Sequence, residues 1–447
     1  MDSIFDTYPQ RFYLLSAYKR KLMEYHSPDN SLEQAVEDAF NKIKRIEGGN
    51  IHAVYKYEYK TLLIMQELSD KYKAQYPCVQ QLPAFFRGLK EGELFVRQKT
   101  SGSLFDFKSS VISTYAIAYG LDINKTHQVF CVNWAKLYLT FETHSFGFLP
   151  YKVYIGEEDK TKRRCRFCHK SGVDRFQNTS HAIQESLGNH LLIANEECDE
   201  CNSLFSNSVE TQLFRFLETN RTLSKVKGKG KSSYHQEGLN FHIHPDSITW
   251  MPIIYVKKEF IINEVYQNKP TGKILLYNKG AVTYKGIYKA LVKIAVDMIP
   301  ENQIHHFSQT GEWVHGDFEA NSLPPFSYGE HAFFFEQPVL DLFFRNERSP
   351  KNAPFCTAVL YIYDSVFIYI VPFNDVDSKK SITANDILSH LQYFKNHEYL
   401  YVQEWVDYDS NDTKEYAVHY KINPLGVEGK YDVEYRPAND SVFEVKK

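Results

Sequence analysis

No stretch of this sequence stays apolar long enough to cross a bilayer. The nearest candidate, Val359 to Phe373, falls short of the roughly 20 residues a spanning helix needs and is interrupted by Asp364 and Ser365. The first residues, Met-Asp-Ser-Ile-Phe-Asp, carry neither a basic n-region nor an apolar h-region, so no secretory signal is expected and the expected location is the cytoplasm, away from membranes. An excess of either charge is also missing. Against 52 Lys and Arg stand 55 Asp and Glu, a net charge of -3, so contact with a polyanion must come from a local patch. Internal repeats and long low-complexity segments are absent. Cysteine is scarce, with 7 in 447 residues. Three of them, Cys78, Cys131 and Cys356, stand alone and read as buried apolar residues.

The other four form two C-x-x-C pairs, Cys165 with Cys168 and Cys198 with Cys201. A C-x-x-C turn lets two thiolates reach one ion. Two such turns supply a closed tetrahedral Zn²⁺ site with Zn–S of about 2.3 Å. In a reducing compartment these cysteines read as metal ligands rather than disulfides. Cys165 to His169 also spells the C-x-x-C-H haem-attachment pattern, but without an export signal and with a second C-x-x-C left over, haem is excluded.

With 43% hydrophobic and 24% charged residues, the chain reads as globular, with room for several domains. Tyr and Phe, 32 each, point to aromatic cores in strand-rich domains rather than to a base-stacking platform. The fold class is α+β and multidomain. Residues 1–155 are expected to be mainly helical. There Ser31 and Gln34 fit a capping box, Leu32, Val36, Phe40 and Ile43 follow at helical spacing up to Gly48-Gly49, and a second helix is expected from Val54 to Tyr72. Residues 156–235 form a compact cysteine-bearing module, and residues 240–447 an α+β domain. That last domain is expected to have strands over Thr249–Val265 and Lys273–Tyr284, a helix bearing Ile287 to Met298 that Pro300 ends, and a hairpin over Val359–Ile370 turning at Asp364-Ser365. His242, His244, His305 and His306 lack further ligands and are not read as a metal site.

The 29 residues between Cys168 and Cys198 exceed the about 15–20 of a compact zinc ribbon, so something is built between the two turns. Phe176 to Ile183 is strand-like around His181. A Gly188-Asn189 turn follows, then Leu191-Leu192-Ile193. The second pair opens a helix whose apolar face is Leu204, Phe205, Val209, Leu213, Phe216 and Leu217. Acid-free basic runs flank the module. The first contains Lys162, Arg163 and Arg164, and the second, Lys-Gly alternating and loop-like, contains Lys225, Lys227 and Lys229. Both are candidate phosphate contacts.

The order knuckle, hairpin, knuckle, helix resembles the HNH endonuclease family, the ββα-metal nucleases on a zinc-bound treble-clef scaffold. The likeness covers roughly Cys165 to Leu217 and runs through His181, Ile183, Glu185, Leu187, Gly188, Asn189, Asn195, Cys198, Cys201 and Asn202. It implies a phosphodiesterase in which His181 is the general base, Asn202 holds a catalytic Mg²⁺ or Mn²⁺, Asn195 fixes the His181 segment, and Glu185 supports the site. The four cysteines hold structural Zn²⁺. The implied substrate is nucleic acid, expected to be DNA, and the implied setting is bacterial defence or a mobile element, with a regulatory protein or a second copy as a further partner. Ser180 stands where many members carry a metal-binding acid, with Glu210 or Asn189 as substitute oxygens. Gln184 replaces a frequent Pro, and a helix N-cap role competes for Asn202. The alternative reading is a treble-clef zinc module that binds nucleic acid or a protein without cutting.

Overall fold

The computed structural model describes residues 10–446, apart from 17–19, 26, 49–51, 101–103, 148–151, 227–233, 246–251, 257–260, 267–268, 398–401, 423–431 and 437–441. The fold mixes helices with several sheets, as an α+β class requires. No helix among the described residues is long and apolar enough to cross a membrane. The chain divides into two compact units, Met1–Ala135 and Lys136–Lys447.

The first unit is organised on a sheet. Strands β1 (Gln10–Ser16), β2 (Arg20–Tyr25), β3 (Arg45–Gly48), β4 (His52–Lys56) and β5 (Leu94–Lys99) lie in the antiparallel order β2-β1-β5-β4-β3. The helices α1 (Ser31–Asn41), α2 (Tyr59–Tyr72), α3 (Gln81–Phe86), α4 (Leu104–Ala118) and α5 (Ile123–Thr140) are also present, and the division between the units falls within α5. The helical expectation for this region therefore omitted its sheet. Val54 to Tyr72 is not one helix: β4 ends at Lys56 and α2 begins at Tyr59. The helix α1 stops at Asn41, before Ile43, and Gly49 lies outside the described residues. Nor does Ser31 cap it. Ser27 accepts from the Leu32 amide, while Glu33 accepts from the Ser27 amide, so the reciprocal bonds sit a few residues earlier than Ser31 and Gln34 suggest. Beneath the sheet, Phe12, Phe40, Tyr55 and Phe95 pack ring against ring. Buried Arg97 lies over Phe12 and Phe40 and pairs with Glu37.

In the second unit, β6 (Glu142–Phe146) pairs with β14 (Phe326–Phe344), which lies between β15 (Cys356–Ile370) and β16 (Val402–Tyr408). The module between them contributes β7 (Val153–Ile155), β8 (Leu192–Ala194), α6 (Asp199–Asn207) and α7 (Val209–Leu223). Small antiparallel sheets follow, from β9 (Gln236–Glu237), β10 (Phe241–Pro245) and β11 (Pro252–Val256), and from β12 (Ile261–Tyr266), β13 (Lys269–Val282) and β17 (Tyr416–Ile422). Helices α8 (Tyr284–Met298), α9 (Glu301–Ile304), α10 (Ser308–His315) and α11 (Ala384–His397) complete the unit, with α8 against α7, α10, β14 and β15 and α11 against β15, and β18 (Asp432–Arg436) pairs with β19 (Val442–Lys446). The Thr283 hydroxyl caps α8 by accepting from the Gly286 amide. Val359 to Ile370 is not a hairpin. It belongs to one long strand, β15, paired with β14 throughout. The irregularity sensed at Asp364-Ser365 is a bulge, with Tyr363 at φ 57 and register shifts around Phe335. Cys356 is buried on this strand and Cys78 is half-buried, while the Cys131 side chain lies outside the described residues.

A buried histidine makes this unit acid-sensitive. His390 on α11 contacts the Thr357 hydroxyl at 2.7 Å, and burial, with Arg345 nearby, holds its pKa down at about 4. Unfolded, the same imidazole would take a proton near pH 6.5. Its contribution is therefore complete above that pH and is lost as pH falls toward 4, about 3 kcal/mol in all. Urea unfolding at about pH 7.5 and about pH 4.5 is expected to show this loss, and His390→Gln to shrink it.

Candidate active site and metal centre

Two knuckles build the centre of the module. In the first, the His169 amide donates to the Cys165 carbonyl and the Cys165 amide to the Lys170 carbonyl, so Cys165 and Cys168 face one point. In the second, Cys198 is the N-cap of α6 and Cys201 lies in its first turn. A helix N-terminus favours anionic thiolates. The Arg166 amide donates to the Glu196 carbonyl and joins the two knuckles. Phe167 and Phe205 meet edge to face beneath them at 4.7 Å.

All four Sγ atoms lie within 4.8 Å of one another, with Cys165–Cys201 at 3.7 Å and Cys168–Cys198 at 3.6 Å. A tetrahedron of sulphurs about 2.3 Å from Zn²⁺ has edges of about 3.8 Å, so the set fits that ion. Without an ion the sulphurs share protons: hydrogen bonds from Cys165 and Cys201 push the Cys198 thiol down, while bonding to Cys198 pushes Cys165 up and bonding to Cys165 pushes Cys201 up. Among the described residues this is the one cluster of three or more ligand-type side chains with metal spacing.

The long insert between the knuckles folds back as expected from Gly188-Asn189. His181 forms an antiparallel bridge with Ile193. The Ala182 amide donates to the Leu192 carbonyl, and the Ala194 amide to the Ser180 carbonyl. On its other side, β8 pairs in parallel with β7, placing Tyr154 beside Ile193. A short 3₁₀ turn, Glu185–Leu187, leads into Gly188 at φ 89, which a residue with a Cβ rarely adopts. Asn189 closes the turn. Its Nδ2 donates to the Ile183 and Leu192 carbonyls at 2.7 and 3.0 Å, and its Oδ1 accepts from the Leu191 and Leu192 amides. Asn189→Ala is expected to cost about 2–3 kcal/mol, readable by chemical denaturation, because several buried backbone groups lose their partners.

Ser180 and Asn195 line a cavity of ≈ 130 Å³ together with Tyr154, Lys160, Arg163 and Asn178. Both are buried, and Ser180 Oγ and Asn195 Nδ2 have no hydrogen-bond partner among the described residues. Buried polar atoms of this kind call for a ligand or water. Asp199, at the start of α6, accepts from the Gln177 and Asn178 amides at 3.0 Å and so ties the loop leading to His181 to the second knuckle.

The remaining candidates are placed as follows. Asn202 is not the N-cap of α6. That position is Cys198, and the Asn202 amide already donates to the Cys198 carbonyl one turn in. Its side chain is thereby freed from the capping role. Glu185 lies 3.7 Å from His190. Asn189 Oδ1 is occupied by its own loop, and Glu210 faces Lys293 at 2.9 Å. Gln184 donates to the Glu210 carbonyl and holds the 3₁₀ segment against α7.

The helix after the second knuckle breaks into α6 and α7 at Ser208, and Leu204 is exposed rather than on the apolar face. Ser206, Asn207 and Ser208 each donate a side-chain hydrogen bond back to a carbonyl three or four residues earlier, which competes with the helix. Of the basic residues, Arg163 donates to the Glu157 and Glu158 carbonyls and lines the cavity, Arg164 donates to the His169 carbonyl, and Lys162 lies 3.6 Å from Asp159. Lys225 is partly buried, which lowers its pKa. Lys227 and Lys229 lie outside the described residues. Lys160 and Tyr154 also line the cavity. The basic run hinted at Lys160, but nothing local marked Tyr154.

Fold and site together define a module framed by four clustered cysteines at metal-binding spacing, with a histidine-bearing insert between its two knuckles. Residues 165–217 match the model of the HNH endonuclease family, so this part of the chain is similar to that family. The match implies nuclease, hence hydrolase, chemistry and nucleic acid as the partner. No curated protein and no solved structure matches the chain.

Proposed function

We propose that this chain is a metal-dependent HNH endonuclease that hydrolyses phosphodiester bonds in DNA. Residues 156–235 are the treble-clef nuclease module, and residues 1–155 and 240–447 are flanking domains that govern where or when it cuts. The observation that carries the proposal is the setting of His181. It lies in the family-matched segment, between the two cysteine pairs and bridged to Ile193, while the neighbouring cavity is lined by Ser180, Asn195, Lys160 and Arg163 and not by His181 itself.

In this reading the four cysteines hold Zn²⁺ as a frame. His181 takes a proton from the attacking water, a role that suits an imidazole whose ordinary basicity lies near neutral pH. Asn195 orders the backbone pairing that carries His181, and Glu185 supports that segment. The Asn202 amide oxygen is the chain's ligand for Mg²⁺ or Mn²⁺, which when bound stabilises charge on the scissile phosphate. Lys160, Lys162, Arg163, Arg164, Lys225, Lys227 and Lys229 contact backbone phosphates, which gives affinity without base preference. The flanking domains fit a bacterial defence or mobile-element effector that answers to a regulatory protein or to a second copy.

Ser180 favours a second reading. It stands where the acid would help hold the metal, so the module could bind nucleic acid without cutting it. Zinc-loaded protein incubated with supercoiled plasmid in Mg²⁺ or Mn²⁺ distinguishes the two. Nicked or linear product that disappears with EDTA supports the nuclease. A mobility shift without product supports the binding module.

A further inference from the structure

Helix α8 lies outside residues 165–217, yet both knuckles are anchored on it. From the first knuckle, Arg166 aims its guanidinium at the C-terminal end of α8. Its Nη1 donates to the carbonyls of Val296 at 2.8 Å, Asp297 at 3.0 Å and Ile299 at 2.7 Å. A helix end leaves such carbonyls without amide partners, and its dipole favours a cation there. Nε of the same side chain donates to Glu196 at 2.9 Å. At Gly311 of α10 a Cβ would collide with the Arg166 carbonyl, so this knuckle also sits directly on backbone.

From the second knuckle, Glu197 meets Lys293 Nζ at 2.8 Å. The same ammonium meets Glu210 of α7 at 2.9 Å and Asp297, one turn along α8, at 2.9 Å. The side chains of Lys293, Glu197 and Asp297 are at most 1% exposed. Stability alone explains such a cluster poorly, because apolar groups of similar volume serve a core as well or better. Its placement is more informative. The acids come from three different elements: the segment joining Asn195 to the second knuckle, the first turn of α7, and α8. One Nζ therefore fixes the spacing among all three.

We infer that Lys293 is a positioning residue of the nuclease and that α8 is a working part of its module, holding Asn195 and the His181 segment in place against α6 and α7. The inference rests on the nuclease reading for its kinetic arm only. Lys293 is too deeply buried to touch substrate, so its loss is expected to act on kcat and leave KM for DNA unchanged.

The test uses the full chain. Lys293→Met alone strands three buried carboxylates and is expected to destabilise the module. A triple variant, Lys293→Met with Glu210→Gln and Asp297→Asn, leaves only Glu197, which can take a proton. It is expected to melt close to wild type and to hold the same zinc. Its amide hydrogen exchange over residues 176–202 is expected to rise, and its kcat to fall, each on the order of tenfold, because small misplacements are costly in a site that works by alignment. Wild-type exchange and turnover in the triple variant would overturn the inference. So would loss of zinc or of the folded state in that variant, since the cluster would then be a stabilising element only. If wild type cuts no nucleic acid while the triple variant still loosens residues 176–202, the nuclease reading falls and the positioning role stands.

Discussion

His181→Ala is expected to lower the rate of plasmid cleavage by about 10² to 10⁴-fold, the range typical for removal of a general base. The same change is expected to leave zinc content and melting temperature near wild type. The frame explains why the two can be separated. The proposed zinc ligands are sulphurs, and the backbone pairing that carries His181 is made by groups of Ser180, Ala182, Leu192 and Ala194, none of which requires the imidazole. A steady-state comparison of cutting rates, with zinc measured on the same samples, checks this. Equal rates in the two proteins would remove His181 from the chemistry.

Cys198→Ser is expected to act in the opposite way, on structure first. Cys198 does two things: it contributes a sulphur to the cluster, and it occupies the N-cap of α6. Serine is a better N-cap than cysteine, so the capping role is preserved or improved. Any loss therefore reports the metal. Structural zinc supplies roughly 10–16 kcal/mol in isolated finger peptides, so removing one of four ligands is expected to drop the zinc-to-protein ratio well below one and to unfold the module. The cluster shares one continuous core with α8, β14 and β15 through Phe167, Phe205, Leu213 and Tyr288, so the damage is expected to spread into that core. Zinc analysis and limited proteolysis across residues 165–217 read both effects. Activity loss follows as a consequence, in contrast to His181→Ala.

What could be read from the sequence was local. Two C-x-x-C turns, the overlong gap between them and the Gly188-Asn189 turn each depend on residues a few positions apart. They were enough to bring the four cysteines together and to fold the His181 segment back, although Phe176 to Ile183 is no strand and pairs only through the single bridge His181–Ile193. The apolar spacing of Ile287 to Met298 marked α8 for the same reason. What escaped depends on distant partners or on competing bonds. The five-stranded sheet of the first unit joins β1 to β5 across some 80 residues, and its short strands carry no strong period of two. The break at Ser208 follows from side chains bonding to carbonyls, which an apolar pattern does not register. A run from Val359 to Ile370 interrupted by Asp364-Ser365 looks like a hairpin until its long partner, β14, is known. Lys293 gave no signal in the sequence, because its partners Glu197 and Glu210 come from the distant module.

The same limit applies at the site itself. Sequence left Asn202 between a helix cap and a metal ligand, and the position of Cys198 removes the first role. Sequence offered Asn189 and Glu210 as oxygens to replace the missing acid. Asn189 Oδ1 is held by its own turn and Glu210 by Lys293, so neither supplies the oxygen that the acid would give in the proposed site.

Anomalous diffraction from crystals grown with Mn²⁺, recorded at the zinc and manganese edges, tests the metal-nuclease assignment most directly. The expected result is zinc among the four sulphurs of Cys165, Cys168, Cys198 and Cys201, and a separate manganese bound by Asn202 beside His181. Zinc at the cysteines with no manganese near His181, at concentrations that support cleavage by other nucleases, would contradict it.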